Sequence, residues 1–153
     1  MSGQFIRNGV LALSFAATST LAAPDDWAFS RHWIGKYPSA TMDGFHGALL
    51  EQPTLKRALG QLVPKPELER LSALKVESLV HEMAGYVVVN LCRPHDCPDD
   101  LAMVVIDPLQ RRLWAGFFTR EGHRSSTRWY TSDDDYTKLP RPVLEEFRDR
   151  HGD

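Results

Sequence analysis

The stretch Tyr86-Val87-Val88-Val89-Asn90-Leu91-Cys92-Arg93-Pro94-His95-Asp96-Cys97-Pro98-Asp99-Asp100-Leu101-Ala102-Met103-Val104-Val105-Ile106 decides the fold. Two apolar runs, 86–91 and 101–106, flank a polar segment that holds two prolines. Each run is too short for a self-standing helix, and the first is rich in β-branched side chains. Such residues fit a buried pleated surface better than a helix, where their χ1 freedom is lost. A polar, proline-bearing link of this length turns the chain back on itself. The two runs are therefore expected to pair as antiparallel strands.

Toward the C-terminus, Asp107-Pro108 marks another turn. Residues 112–119, with Trp114, Phe117 and Phe118, read as a third strand, and residues 126–131 as a fourth. Toward the N-terminus, residues 76–83 read as an extra strand leading in. The near-continuous apolar character of the central runs implies a sheet covered on much of both faces. Asp133-Asp134-Asp135 reads as a solvated turn. Pro142 opens a final helix with Val143, Leu144 and Phe147 inward, and Arg148 and Arg150 sit near its C-terminal end, where the helix dipole favours them.

The segment before the strands is helical in pattern. Residues 25–37, with Trp27, Phe29, Trp33 and Tyr37, read as a packed helical segment ended by Pro38. Thr41 is a candidate cap for a helix carrying Met42, Phe45, Leu49 and Leu50 on one face, although Gly44 and Gly47 weaken it. Pro53 fits a first helical position, followed by the stripe Leu55, Leu59, Leu62 and Val63. Pro64-Lys65-Pro66 interrupts, and Leu68, Leu71 and Leu74 form a third short helix. Helices, antiparallel strands and a closing helix amount to an α+β domain, an antiparallel meander packed with helices.

Arg7, the apolar run 10–17 and Thr20-Leu21-Ala22 have the order of a secretory signal peptide cut after Ala22. The organisation is thus a signal peptide over residues 1–22 and a single domain over 23–153. The run is too short and too broken by Ser14, Thr18 and Ser19 to span a bilayer, and no membrane association is expected after cleavage. The whole chain of 153 residues carries a net charge of −2, which becomes −3 once Arg7 is removed. A mildly acidic domain lacks the basic face that phosphate binding needs, which argues against nucleic acid.

Export places the two cysteines, Cys92 and Cys97, in an oxidising compartment, where proximity favours an intramolecular pair. Closing so small a ring restricts the loop by about 2 kcal/mol, and Pro94 fixes a further backbone angle. His95 can donate, accept and become cationic; Arg93 can make forked contacts to carboxylates; Asp96 can hold His95 or answer a donor on a partner. A rigid tip of this kind suits a cleft lined by two carboxylates, as glycosidases have. The residues alone leave other readings open. A thiol–disulfide centre would need Cys-x-x-Cys, and this spacing is wider. A metal site using Cys92, His95 and Cys97 lacks an obvious fourth ligand. The bland alternative is a structural staple with His95 merely exposed. His32, His46 and His81 are assigned to packed elements, His123 to a polar turn and His151 to the tail. His123 with Ser125-Ser126 makes no defensible nucleophile set. Trp114 and Trp129 are read as core.

The hexapeptide Cys92-Arg93-Pro94-His95-Asp96-Cys97 resembles the signature loop of the Ivy family, the inhibitors of vertebrate C-type lysozyme, whose pattern is Cys-Lys-Pro-His-Asp-Cys. Arg93 departs from it while keeping the charge. The resemblance extends to the exported N-terminus, the leading helical segment and the strand carrying Trp114, Ala115, Gly116 and Phe117. It implies a periplasmic protein without enzymatic activity, cofactor or metal, often a homodimer, whose disulfide-closed loop protrudes into the lysozyme cleft. By that resemblance Cys92 and Cys97 form the bridge, His95 meets the catalytic Glu and Asp of the target, Pro94 shapes the tip and Asp96 supports it. Lytic transglycosylases and other murein-cleaving enzymes, with a carboxylate in a similar cleft, are the alternative targets. An exported metal-binding protein is the alternative of another class.

Overall fold

The computed structural model describes residues 26–132 and 135–152. The signal peptide assigned to residues 1–22, and Asp133 and Asp134 of the expected turn, lie outside them. Trp27–Trp33 forms a 3-10 helix capped by Asp26, whose carboxylate accepts from the Ala28 N–H at 2.9 Å. A single 3-10 turn follows at Leu49–Glu51. Two α-helices come next, α1 (Pro53–Leu62) and α2 (Lys65–Ala73), each with a proline in its first turn. That is where a missing N–H costs no hydrogen bond. Six strands then run as β1 (Val76–Glu77), β2 (His81–Met83), β3 (Tyr86–Cys92), β4 (Asp100–Asp107), β5 (Arg112–Glu121) and β6 (Arg124–Thr131). A 3-10 turn at Tyr136–Lys138 and helix α3 (Arg141–His151) complete the order, with Gly152 in the left-handed conformation ending α3.

The strands make one antiparallel sheet in the order β1-β3-β4-β5-β6, with β2 also paired to β3 along the same edge. The strand alternation splits the core in two. Val87, Val89, Leu91, Ala102, Val104, Ile106, Ala115 and Phe117 face the N-terminal half, meeting Trp33, Leu49, Leu55, Leu59 and Leu71. Val88, Met103, Val105, Trp114 and Phe118 face α3, meeting Leu139, Val143 and Phe147. Every residue of β4 is buried, which is why its sequence shows no polar alternation. The α+β class, the meander, the cover on both faces and the Cys92–Cys97 bridge are as the sequence implies.

Three expectations are corrected. The helix expected around Met42 to Leu50 is absent: Gly44 and Gly47 take φ of +84° and +79°, which a right-handed helix cannot accommodate, and only Leu49–Glu51 turns helically. The strand expected over 76–83 is two short strands. Between them the Ser78 N–H still donates to Asn90 O at 3.1 Å, but Val80 leaves the ladder, its N–H donating to Lys36 O and its carbonyl accepting from the Gly35 N–H, both at 2.8 Å. The packed helical segment around Trp27 is present as the 3-10 helix Trp27–Trp33, with Trp27 and Trp33 buried. His151 is no loose tail residue. It ends α3 at 5% exposure, its ring stacked on Phe118 with centroids 4.0 Å apart.

Candidate functional site

The link between β3 and β4 stands at one end of the sheet. Every residue from Arg93 to Pro98 is exposed, whereas Leu91 behind it and Asp100 ahead of it are buried. Cys92 and Cys97 are bonded, with Cα atoms 5.4 Å apart, a normal span for a disulfide. The thiolates that a metal site would require are therefore consumed. Among the described residues no group of histidine, cysteine and carboxylate side chains is arranged to hold a metal ion.

His95 sits at the apex with φ +67°. The left-handed region is uncommon for a residue with a Cβ, though histidine tolerates it better than most. The ring and the local hydrogen bonds hold it there. The Asp96 N–H donates to Arg93 O at 3.1 Å, the Asp100 N–H to Asp96 O at 2.8 Å, and the Arg93 N–H to Asp100 O at 2.9 Å. Three backbone bonds within one short loop make a turn with few alternative shapes. The imidazole projects from it with no hydrogen-bond partner among the described residues.

Below the tip lies a network of charged side chains absent from the sequence reading. Asp100, the first residue of β4, has a side chain only 7% exposed. Its Oδ1 accepts from Arg70 Nε at 2.9 Å, and its Oδ2 accepts from Arg93 Nε. Arg70 comes from α2 and is 15% exposed; Glu67, one turn earlier, lies 3.8 Å from it. Glu67 in turn accepts from Arg128 Nε of β6 at 2.6 Å. Burial lowers the Arg128 pKa, but the hydrogen bond and negative charge of Glu67 outweigh it, leaving the guanidinium above its ordinary value. A second tie joins the loop to β5: the Arg120 N–H donates to Asp99 O at 2.7 Å, and Arg120 Nη1 to Asp99 Oδ1 at 3.0 Å. Arg120 also lies over the Phe118 ring, 5.1 Å from its centroid. Arg70, Arg93, Asp96, Asp99, Asp100 and Arg120 line a polar hollow of about 380 Å³ beside the loop.

The structure thus sorts the loop residues that the sequence singled out. Pro94, His95 and Asp96 form the exposed tip. Arg93 turns back, its guanidinium bonded to Asp100 of its own chain. Support for the tip comes from Asp99, Asp100, Arg70 and Arg120, with Asp96 contributing its backbone. No sequence signal pairs Arg70 with Asp100, because a helix residue and a strand residue 30 positions apart meet only through the fold. A larger apolar cleft of about 510 Å³, between α1, α2 and the Pro38–Ser39 segment, contains none of the singled-out residues.

The family model described as inhibitor of vertebrate lysozyme (Ivy) matches residues 54–152, well over half of the chain. The match runs from α1 through α3 and includes the whole loop and its supports. No curated protein and no solved structure matches the chain significantly.

Proposed function

The chain belongs to the Ivy family, the inhibitors of vertebrate lysozyme, and from that premise we propose that it is a periplasmic inhibitor which plugs the cleft of a C-type lysozyme with the tip Pro94-His95-Asp96. The observation that carries this reading is the tip itself: a disulfide-closed, fully exposed turn with a histidine at its apex and an ionic brace beneath it. The target cleft holds two carboxylates, one acid and one nucleophile, a few ångströms apart. An imidazolium offers two N–H donors, one to each, as charge-assisted hydrogen bonds. Nothing in the loop reacts. The inhibitor occupies the space the sugar needs and satisfies the carboxylates that would act on it.

Rigidity is what makes such a plug effective. An unconstrained loop would lose about 0.5–1.5 kcal/mol for each side chain it immobilised on binding, besides its backbone freedom. Here the disulfide, Pro94 and the Asp100 brace impose that order before the partner arrives.

The test is titration of the mature protein into a C-type lysozyme lysis assay, with a lytic transglycosylase run in parallel. Stoichiometric loss of lysozyme activity, abolished by His95→Ala, is the expected result. Inhibition of the transglycosylase alone would redirect the proposal to that enzyme class. Full inhibition by His95→Ala would remove the histidine from the mechanism.

A further inference from the structure

A plug made of one loop is too small to account for a stable complex. Interfaces of standard size bury about 800 Å² on each partner and use about 20–30 residues a side. The tip from Arg93 to Pro98 offers six exposed residues. The remainder of the contact has to come from surface that lies beside the loop and moves with it.

The sheet places one such surface there. β5 and β6 extend past the end of β4, pairing Arg120 with Ser125 and Glu121 with Arg124. Their turn therefore stands next to the loop, at the same end of the sheet. Every residue from Glu121 to Thr127 is exposed. The two turns are joined directly by Arg120 and Asp99, through the backbone bond at 2.7 Å and the ion pair at 3.0 Å. They are also joined from behind. Arg93, Asp100, Arg70, Glu67 and Arg128 form one alternating chain of charges that starts in the loop, crosses α2 and ends in β6. Arg128 Nη1 reaches on to Ser126 Oγ at 3.0 Å. Helix α2 thus grips both turns through two side chains one turn apart, with Arg70 and Glu67 only 15% and 13% exposed. Two surface turns with no common task have no evident need for a shared, largely buried brace.

Resting on the inhibitor reading, we infer that the β5–β6 turn, residues 121–127, is a second contact element that docks on the rim of the same carboxylate-lined enzyme cleft that the loop enters. The turn carries one exposed acid, Glu121, and offers cations to carboxylates at the cleft's edge. Arg124 has no ion-pair partner among the described residues, and it stands beside His123 at the apex. The flanking Ser125, Ser126 and Thr127 are small and polar, leaving the backbone within reach of a partner's side chains. An exposed cation at a rim acts mainly through association rate and partner choice.

The test uses the mature protein with the enzyme it arrests, in three variants: His95→Ala, Arg124→Glu and Ser125→Trp. Ser125 is exposed, so the indole can be carried without refolding the sheet, and an unchanged melting temperature verifies this. The expected result is inhibition weakened about tenfold or more by Ser125→Trp. Arg124→Glu should mainly lower the association rate, and the difference should shrink as salt is raised. Variants that inhibit within twofold of wild type, while His95→Ala is inactive, would overturn this inference and leave the inhibitor reading intact. A wild-type protein that arrests neither lysozyme nor transglycosylase would overturn both.

Discussion

Replacing Asp100 by asparagine tests the brace beneath the loop, and its cost can be worked from the structure. The native carboxylate gives one oxygen to Arg70 and the other to Arg93. Asparagine keeps the shape but has one acceptor oxygen, so one guanidinium must face an NH₂ group. Breaking a fully buried pair costs about 3–5 kcal/mol, because a charge is stranded away from water. Two features lower that figure here. Arg93 is 48% exposed and its share falls to about 0–1 kcal/mol. Arg70 keeps Glu67 at 3.8 Å as a second anion. What remains is the lost charged hydrogen bond on a nearly buried Arg70, about 1.5–3 kcal/mol. The sum is about 3 kcal/mol, a large fraction of a domain's net stability of about 5–15 kcal/mol. For a chain of this size it lowers Tm by about 10 °C. The assay is thermal and urea unfolding of the oxidised protein, with inhibition measured well below the transition. A matching fall in urea midpoint at unchanged slope would locate the loss in the folded state. Inhibition should weaken in the still-folded variant, because the loop has lost its tie to α2. In double-mutant cycles Asp100 should couple to Arg70 by about 1–3 kcal/mol and to Arg93 by less. A Tm within about 2 °C of wild type, with full inhibition, would refute the reasoning.

Reducing the bridge, or the double change Cys92→Ser and Cys97→Ser, should lower stability by about 2 kcal/mol while leaving far-UV circular dichroism unchanged, with a larger proportional loss of inhibition. Gly116→Ala should displace Trp129, since an added Cβ would sit 2.8 Å from the indole ring; the cost is about 1–3 kcal/mol, read as a melting shift together with altered tryptophan fluorescence, and neither change would be seen if the ring had room to move. Glu146→Gln should loosen α3 by about 1–2 kcal/mol, because Glu146 accepts from Asn90 Nδ2 at 2.7 Å and meets His81 Nε2 at 2.8 Å. Hydrogen exchange should quicken across residues 141–151 while the β4 amides stay protected.

Local chemistry wrote much of this molecule openly. The runs 86–91 and 101–106 became β3 and β4 because β-branched side chains on both faces of a strand leave few other stable arrangements. Pro53, Pro66 and Pro142 each fell in the first turn of a helix, since proline is tolerated there and costly further in. The hexapeptide announced its own ring, because its cysteines are neighbours in sequence. Readings failed where two local signals conflicted. The apolar spacing of Met42, Phe45, Leu49 and Leu50 is helical, yet Gly44 and Gly47 were free to take left-handed angles, and packing of Phe45 on Trp33 at 4.9 Å settled the matter.

The sequence by itself determined the fold class, the position of the loop, its ring and the histidine at its apex, because each depends on residues within a few positions of one another. Only the tertiary structure decided what stands behind and beside that loop. It turned Arg93 inward to Asp100, brought Arg70 and Glu67 of α2 under two separate turns, made Gly116 the seat of the Trp129 ring and buried His151 on Phe118. Charges far apart in sequence carry no local mark of their partners. Their pairing is set by which strand lies next to which and which helix packs across them, and that is fixed only when the apolar faces of the whole domain close together.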